Sequence, residues 1–139
     1  MTTKFTLLFA ALFCSLFAAA ADIRVTDADL IGGQTYDWTA DNVYILDGLV
    51  YLEEGGVLNI EAGTTIKDAT SITTGDNTSA LIITRGARIV ARGTASAPII
   101  FTAEEDDLSD SGDFTAQDRV EWGGLFILGY ATIACLGGG

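Results

Sequence analysis

From Val43 onward, apolar residues do not recur at the three-to-four spacing of an amphipathic helix. Short runs of Val, Ile, Leu, Tyr and Phe alternate instead with Gly, Asp and Asn, the punctuation of brief strands and turns. The pattern predicts strands over Val43–Leu46, Leu49–Glu53, Val57–Ile60, Thr64–Lys67, Leu81–Thr84, Ile89–Ala91, Ile99–Thr102 and Leu125–Leu128. Strands this short, joined without tight Asn-Gly hairpins, suit successive faces of a coil better than a meander.

Laying the chain on itself exposes a repeat. The unit Gly55-Gly-Val-Leu-Asn-Ile-Glu-Ala-Gly63-Thr64 returns, one residue shorter, as Gly86-Ala-Arg-Ile-Val-Ala-Arg-Gly93-Thr94. A third, partial match aligns Leu125-Phe-Ile-Leu-Gly129 with Leu81-Ile-Ile-Thr-Arg-Gly86 and runs on to Ile133. Recurrence of short strands at intervals stretched by loops is what stacked β coils produce. Leu58 with Ile60, Ile89 with Ala91, and then Ile133 are expected to face inward and stack. Gly55, Gly86 and Gly129 are expected to turn corners where a Cβ would clash, with Thr64 and Thr94 forming a ladder at the next corner. The fold class read from these features is all-β, a right-handed parallel β-helix of about three coils, with a β-sandwich as the alternative.

Several stretches then carry a family resemblance: Trp38–Gly48, Glu54–Thr64, Ala80–Gly86, the Gly93–Thr102 run and Trp122–Gly129. Together they resemble the amino-terminal part of large secreted or cell-surface right-handed parallel β-helix proteins, mostly uncharacterised, of marine and Bacteroidetes-type bacteria. The resemblance implies a fold and a location and brings no catalytic motif. Such proteins run on for many more coils, so the chain is expected to be a fragment, with an uncapped coil edge open to self-association.

The amino terminus follows different rules. Lys4, the apolar run Phe5–Phe17 and the small residues Ala18–Ala21 have the order of a secretory signal peptide, with cleavage expected after Ala20 or Ala21. The run is too short to span a bilayer. Phe13 stands where a lipid-attachment signal wants a small residue, before Cys14, and Cys135 has no second cysteine to pair with once the signal is gone. The domain reading is therefore a signal peptide over 1–21, a cap region over 22–42 that includes Trp38, and coils over 43–139. The expected location is extracellular or at the cell surface.

Charge narrows the partners. The chain has 19 acidic and 7 basic residues and a net charge of −12. A surface of that sign repels nucleic acid and anionic lipid. There is no histidine. That removes Ser-His-Asp and Cys-His catalysis and the usual zinc clusters. The acidic stretch from Glu104 through Asp113 to Asp118 reads in two ways. It is either a solvated, charge-bearing loop or a calcium loop with Asp106, Asp107, Asp110 and Asp113 as ligands. Arg85, Arg88 and Arg92 are candidate bases by residue type, but are expected to line an outward face and pair with Glu61 or Asp68. Tyr36, Trp38 and Trp122 are of the kind that stack on sugar rings, and Asn77-Thr78-Ser79 is formally a glycosylation sequon. The functional expectation is a non-catalytic structural or adhesion module binding carbohydrate or a surface protein, with calcium as its candidate cofactor. The alternative is the first part of a polysaccharide lyase or hydrolase whose site lies beyond residue 139.

Overall fold

A computed structural model describes residues 21–113 and 122–130. The expected signal peptide, apart from Ala21, and the Ile133 rung lie outside these residues. The described residues form ten short strands: β1 (Ala21–Val25), β2 (Thr35–Trp38), β3 (Asn42–Leu46), β4 (Leu49–Leu52), β5 (Val57–Ile60), β6 (Thr65–Asp68), β7 (Ala80–Ile83), β8 (Arg88–Ala91), β9 (Ile100–Ala103) and β10 (Leu125–Ile127). Each of the eight strands expected from sequence appears with its ends shifted by at most one residue.

Every pairing is parallel, and no pair joins consecutive strands. The first sheet runs β1-β3-β6-β9, the second β4-β7-β10 and the third β2-β5-β8. The chain thus visits the three sheets in turn and climbs one strand spacing of about 4.8 Å per circuit. This is a right-handed parallel β-helix, the sense that parallel crossovers favour. A sandwich would need antiparallel neighbours.

The in-register partners confirm the repeat where it rested on strands. Leu58 lies beside Ile89 and Leu81 beside Leu125. The shortest coil takes Ile23 to Tyr44 on the first sheet, and longer coils differ by what is inserted at the corners. Inward residues fill the interior: Leu46, Val50, Leu52, Leu58, Ile66, Leu81 and Ile83 are almost wholly buried.

The segment 22–42, expected to cap the helix, carries β1 and β2 and so forms a coil of its own. In it the short 3-10 turn Asp27–Asp29 lies against β4, where the second sheet would otherwise begin. Trp38 is not a lid on that coil. Its side chain is buried and stacks on Tyr44 with centroids 4.6 Å apart and planes at 12°.

One corner shows why glycine punctuates the repeat. Gly33, Gly55 and Gly86 all have positive φ, at 74°, 76° and 85°. A Cβ on Gly55 would meet the Gly33 backbone at 3.3 Å, and one on Gly86 would strike Glu54 at 2.7 Å. Left-handed backbone and close stacking together select glycine there. Gly129 does not share the conformation.

The expected Thr64–Thr94 ladder does not form. Thr64 is buried and its hydroxyl donates to the Glu61 carbonyl at 2.8 Å, whereas Thr94 is exposed and closes a local turn with Ala97. The reason is register: Thr65 pairs with Ile100, so residues 92–99 form a corner loop rather than a copy of Gly63-Thr64. Ala91 keeps register with Ile60 but is exposed, because β8 is the last strand of its sheet.

Candidate functional site

Strand β6 reads Thr-Ile-Lys-Asp, and strict alternation fixes where its side chains go. Ile66 is buried between Tyr44 and Phe101. Asp68, two residues on, must therefore also face the interior. It stands in the row Val25, Leu46, Asp68, Ala103, a carboxyl set among apolar neighbours and 3% exposed. Its Oδ2 accepts a hydrogen bond from the Gly123 amide at 2.6 Å, while Oδ1 is buried with no partner among the described residues. Burial pushes this carboxyl up to about 6, against hydrogen bonds from Gly123 and the Trp122 side chain that favour the charged form.

Gly123 reaches Asp68 only because it lacks a side chain. A Cβ there would lie 1.8 Å from the Ser79 carbonyl oxygen. The chain returning from the acidic stretch thus threads between the end of β6 and the start of β7, and Trp122 packs on Phe101 at 5.7 Å. A cavity of about 160 Å³ opens at this corner, lined by Asp68, Thr70, Asn77, Thr78, Ser79 and Gly123 among others. Ser79 is buried and its hydroxyl accepts from the Gly48 amide at 3.1 Å.

A second buried carboxylate lies one position further along the neighbouring coil. Asp47 is fully buried and accepts from the Thr73 amide at 2.7 Å, the Thr73 hydroxyl at 2.6 Å and Arg24 at 3.4 Å. Burial alone would raise its pKa. The Thr73 hydrogen bonds and the Arg24 charge outweigh that and hold it below the usual carboxylate range. Arg24 also pairs with Glu104 at 3.1 Å and donates to the Ser71 carbonyl.

The outer face of the second sheet is of another kind. Tyr51, Ile82 and Phe126 are in register and point away from the interior, a ladder of apolar side chains up three successive strands. Tyr51 and Phe126 are exposed, with Leu128 and Tyr130 beyond them; Tyr130 is 74% exposed. The Arg85 guanidinium lies 5.7 Å from the Tyr130 ring centroid. Glu54, Thr84, Arg85, Leu128 and Tyr130 line an open groove of about 540 Å³.

The residues picked out from sequence take other places. Asp106 bonds the Thr102 hydroxyl, Asp107 accepts from Ser109, Asp110 from the Gly112 amide, and Asp113 from the Asp107 amide. The Ser109 hydroxyl and amide hold Asp107 below its ordinary pKa. Among the described residues no three acidic side chains gather at one point. Lys67 anchors this stretch by donating to the Glu104 and Asp106 carbonyls.

The expected pairing of Arg85, Arg88 or Arg92 with Glu61 or Asp68 is absent among the described residues: Arg24 makes both ion pairs there, Glu61 accepts the Ala40 amide, and Asp68 faces inward. Tyr36 exchanges hydrogen bonds with the Ile31 backbone through its hydroxyl. Sequence reasoning took Asp68 for an arginine partner on an outward face and passed over Gly123. The signal available for Asp68 was its place two residues after Ile66 in a strand; Gly123 had none.

Residues 32–138 match a family described as the pectate-lyase-like beta helix domain. No curated protein and no solved structure matches the chain.

Proposed function

We propose, for a chain that belongs to the pectate-lyase-like beta helix domain family, that it is an exported, non-catalytic module that holds a neutral polysaccharide on the outer face of its second sheet. The observation that carries this is the Tyr51–Ile82–Phe126 ladder continuing into Tyr130 and Arg85. Exposed aromatic rings offer flat apolar faces to the C–H face of a sugar, and flanking Arg85, Glu54 and Thr84 supply donors and acceptors for its hydroxyls. Tyr51 and Phe126 stand two strands apart, about 9.5 Å along the axis, so an extended glycan lying along the coil stack touches both.

Charge favours neutral polymers over acidic ones, since a net −12 repels a polyanion. Absence of catalysis is supported by the lack of histidine and by the burial of Asp68, the carboxyl raised to about 6, inside the coil and away from the groove.

Affinity electrophoresis through gels containing neutral or acidic polysaccharides tests the reading. Retardation is expected in neutral gels, with Tyr130→Ala and Phe126→Ala each weakening it about threefold to tenfold, as loss of about 1 kcal/mol of stacking requires. Equal mobility of the wild type in every neutral gel would reject it. Export is checked separately: the amino terminus of extracellular protein should begin at Ala21 or Asp22.

A further inference from the structure

We propose that the corner cavity beside Asp68 is a binding site for a hard divalent cation of the calcium type. Asp68 brings a carboxylate into an otherwise apolar interior row, and one of its oxygens has no partner among the described residues. An ionised carboxylate so placed needs a compensating charge. The nearby basic side chains are committed elsewhere: Arg24 to Asp47, Glu104 and the Ser71 carbonyl, and Lys67 to the carbonyls of Glu104 and Asp106.

The cavity supplies what a cation would need instead. The residues lining it, Asp68, Thr70, Asn77, Thr78 and Ser79 among them, carry carboxylate, hydroxyl, amide and carbonyl oxygens, with no sulfur or imidazole. An all-oxygen donor set selects hard ions, and calcium accepts a mixture of carboxylate, carbonyl, hydroxyl and water ligands in flexible geometry. About 160 Å³ leaves room for the ion with part of its hydration shell. With one carboxylate in the set, affinity falls at the weak end of the calcium range, about 0.1–1 mM.

The position gives the ion a task. Ser79 directly precedes β7, and Gly123 lies two residues before β10. A cation held between them and Asp68 ties the corner loop 69–79 and the returning segment 122–124 to the end of β6. The site is separate from Asp106, Asp107, Asp110 and Asp113.

Thermal unfolding of the full chain in chelator, and then with CaCl2, MgCl2 or NaCl at matched ionic strength, tests this. Calcium at a hundredfold excess over its dissociation constant should raise Tm by about 10 °C, magnesium less, because it sheds water reluctantly, and sodium least. Asp68→Asn keeps the shape, removes the charge and should abolish the calcium response. A variant with Asp106, Asp107, Asp110 and Asp113 all changed to Asn should keep it. An unmoved Tm in folded wild type, a calcium shift that persists in Asp68→Asn, or one lost in the fourfold variant would each overturn the proposal. If Asp68→Asn does not fold, calorimetric titration of CaCl2 into wild type and the fourfold variant decides: a one-site isotherm in both supports the site, and its absence from either refutes it. Glycan retardation in chelator reads the groove independently.

Discussion

Asp47 and Asp68 are both buried carboxyls at the same corner, yet their surroundings drive them in opposite directions. Asp47 directly follows β3, where the corner loop folds over it, and Thr73 supplies two donors while Arg24 supplies a charge. Asp68 belongs to the interior row itself and, despite the Gly123 amide and the Trp122 side chain, is left with Oδ1 unpartnered. Burial is common to both, so it does not decide the outcome. The number of donors aimed at the charged form does.

The largest test of this contrast is Asp47→Ala. It leaves the Thr73 hydroxyl and amide and Arg24 without their acceptor, and is expected to cost about 3–5 kcal/mol in chemical denaturation, the range for breaking a buried charged network. A loss below about 1 kcal/mol would mean that water replaces the carboxylate freely.

Acidification separates the two groups by sign. Asp68 has a native pKa raised to about 6 from 3.8, so its neutral form favours the fold. That contribution is complete below 3.8 and disappears as pH rises through 6. Asp47, lowered, acts the other way: its contribution holds above 3.8 and is lost as pH falls through its native pKa. In chelator, the stability of wild type relative to Asp68→Asn should therefore improve by about 2 kcal/mol between pH 7 and pH 4. A flat difference across that window would show that Asp68 is already satisfied.

The smallest effect expected is from Thr73→Val. It removes the hydroxyl donor and keeps the amide, so about 1–2 kcal/mol is lost and the Asp47 pKa, followed by carboxyl NMR, moves up. An unchanged pKa would assign the lowering to the Thr73 amide and Arg24 together.

The strands beyond Val43 were legible in the chain because period-2 alternation between glycine corners leaves a strong local signature; Leu58 opposite Ile89 and Leu81 opposite Leu125 followed directly. The first coil was not legible. Gly33, Tyr36 and Trp38 occupy the same register as Gly55, Leu58 and Ile60, but their polar neighbours and a single aromatic pair disguise the repeat. Thr94 misled for the opposite reason: the Gly-Thr pair is copied locally while the loop around it shifts the register. Of the site, the groove residue Arg85 drew notice by its type, whereas its companions Tyr130 and Phe126 did not, because facing direction on the last strand depends on which coil it joins.

The sequence by itself determined an all-β, acidic, histidine-free chain whose repeat favoured a parallel β-helix over a sandwich, because periodicity, glycine placement and charge are properties of neighbouring residues. Only the tertiary structure decided that Asp68 faces the interior, that Asp47 is satisfied, and that Tyr51, Phe126 and Tyr130 share one surface. Each of these depends on register between coils, and a shift of one residue would turn every one of those side chains to the other face. Register is set by how much chain the corners absorb, and that is decided by packing across the coils rather than along them.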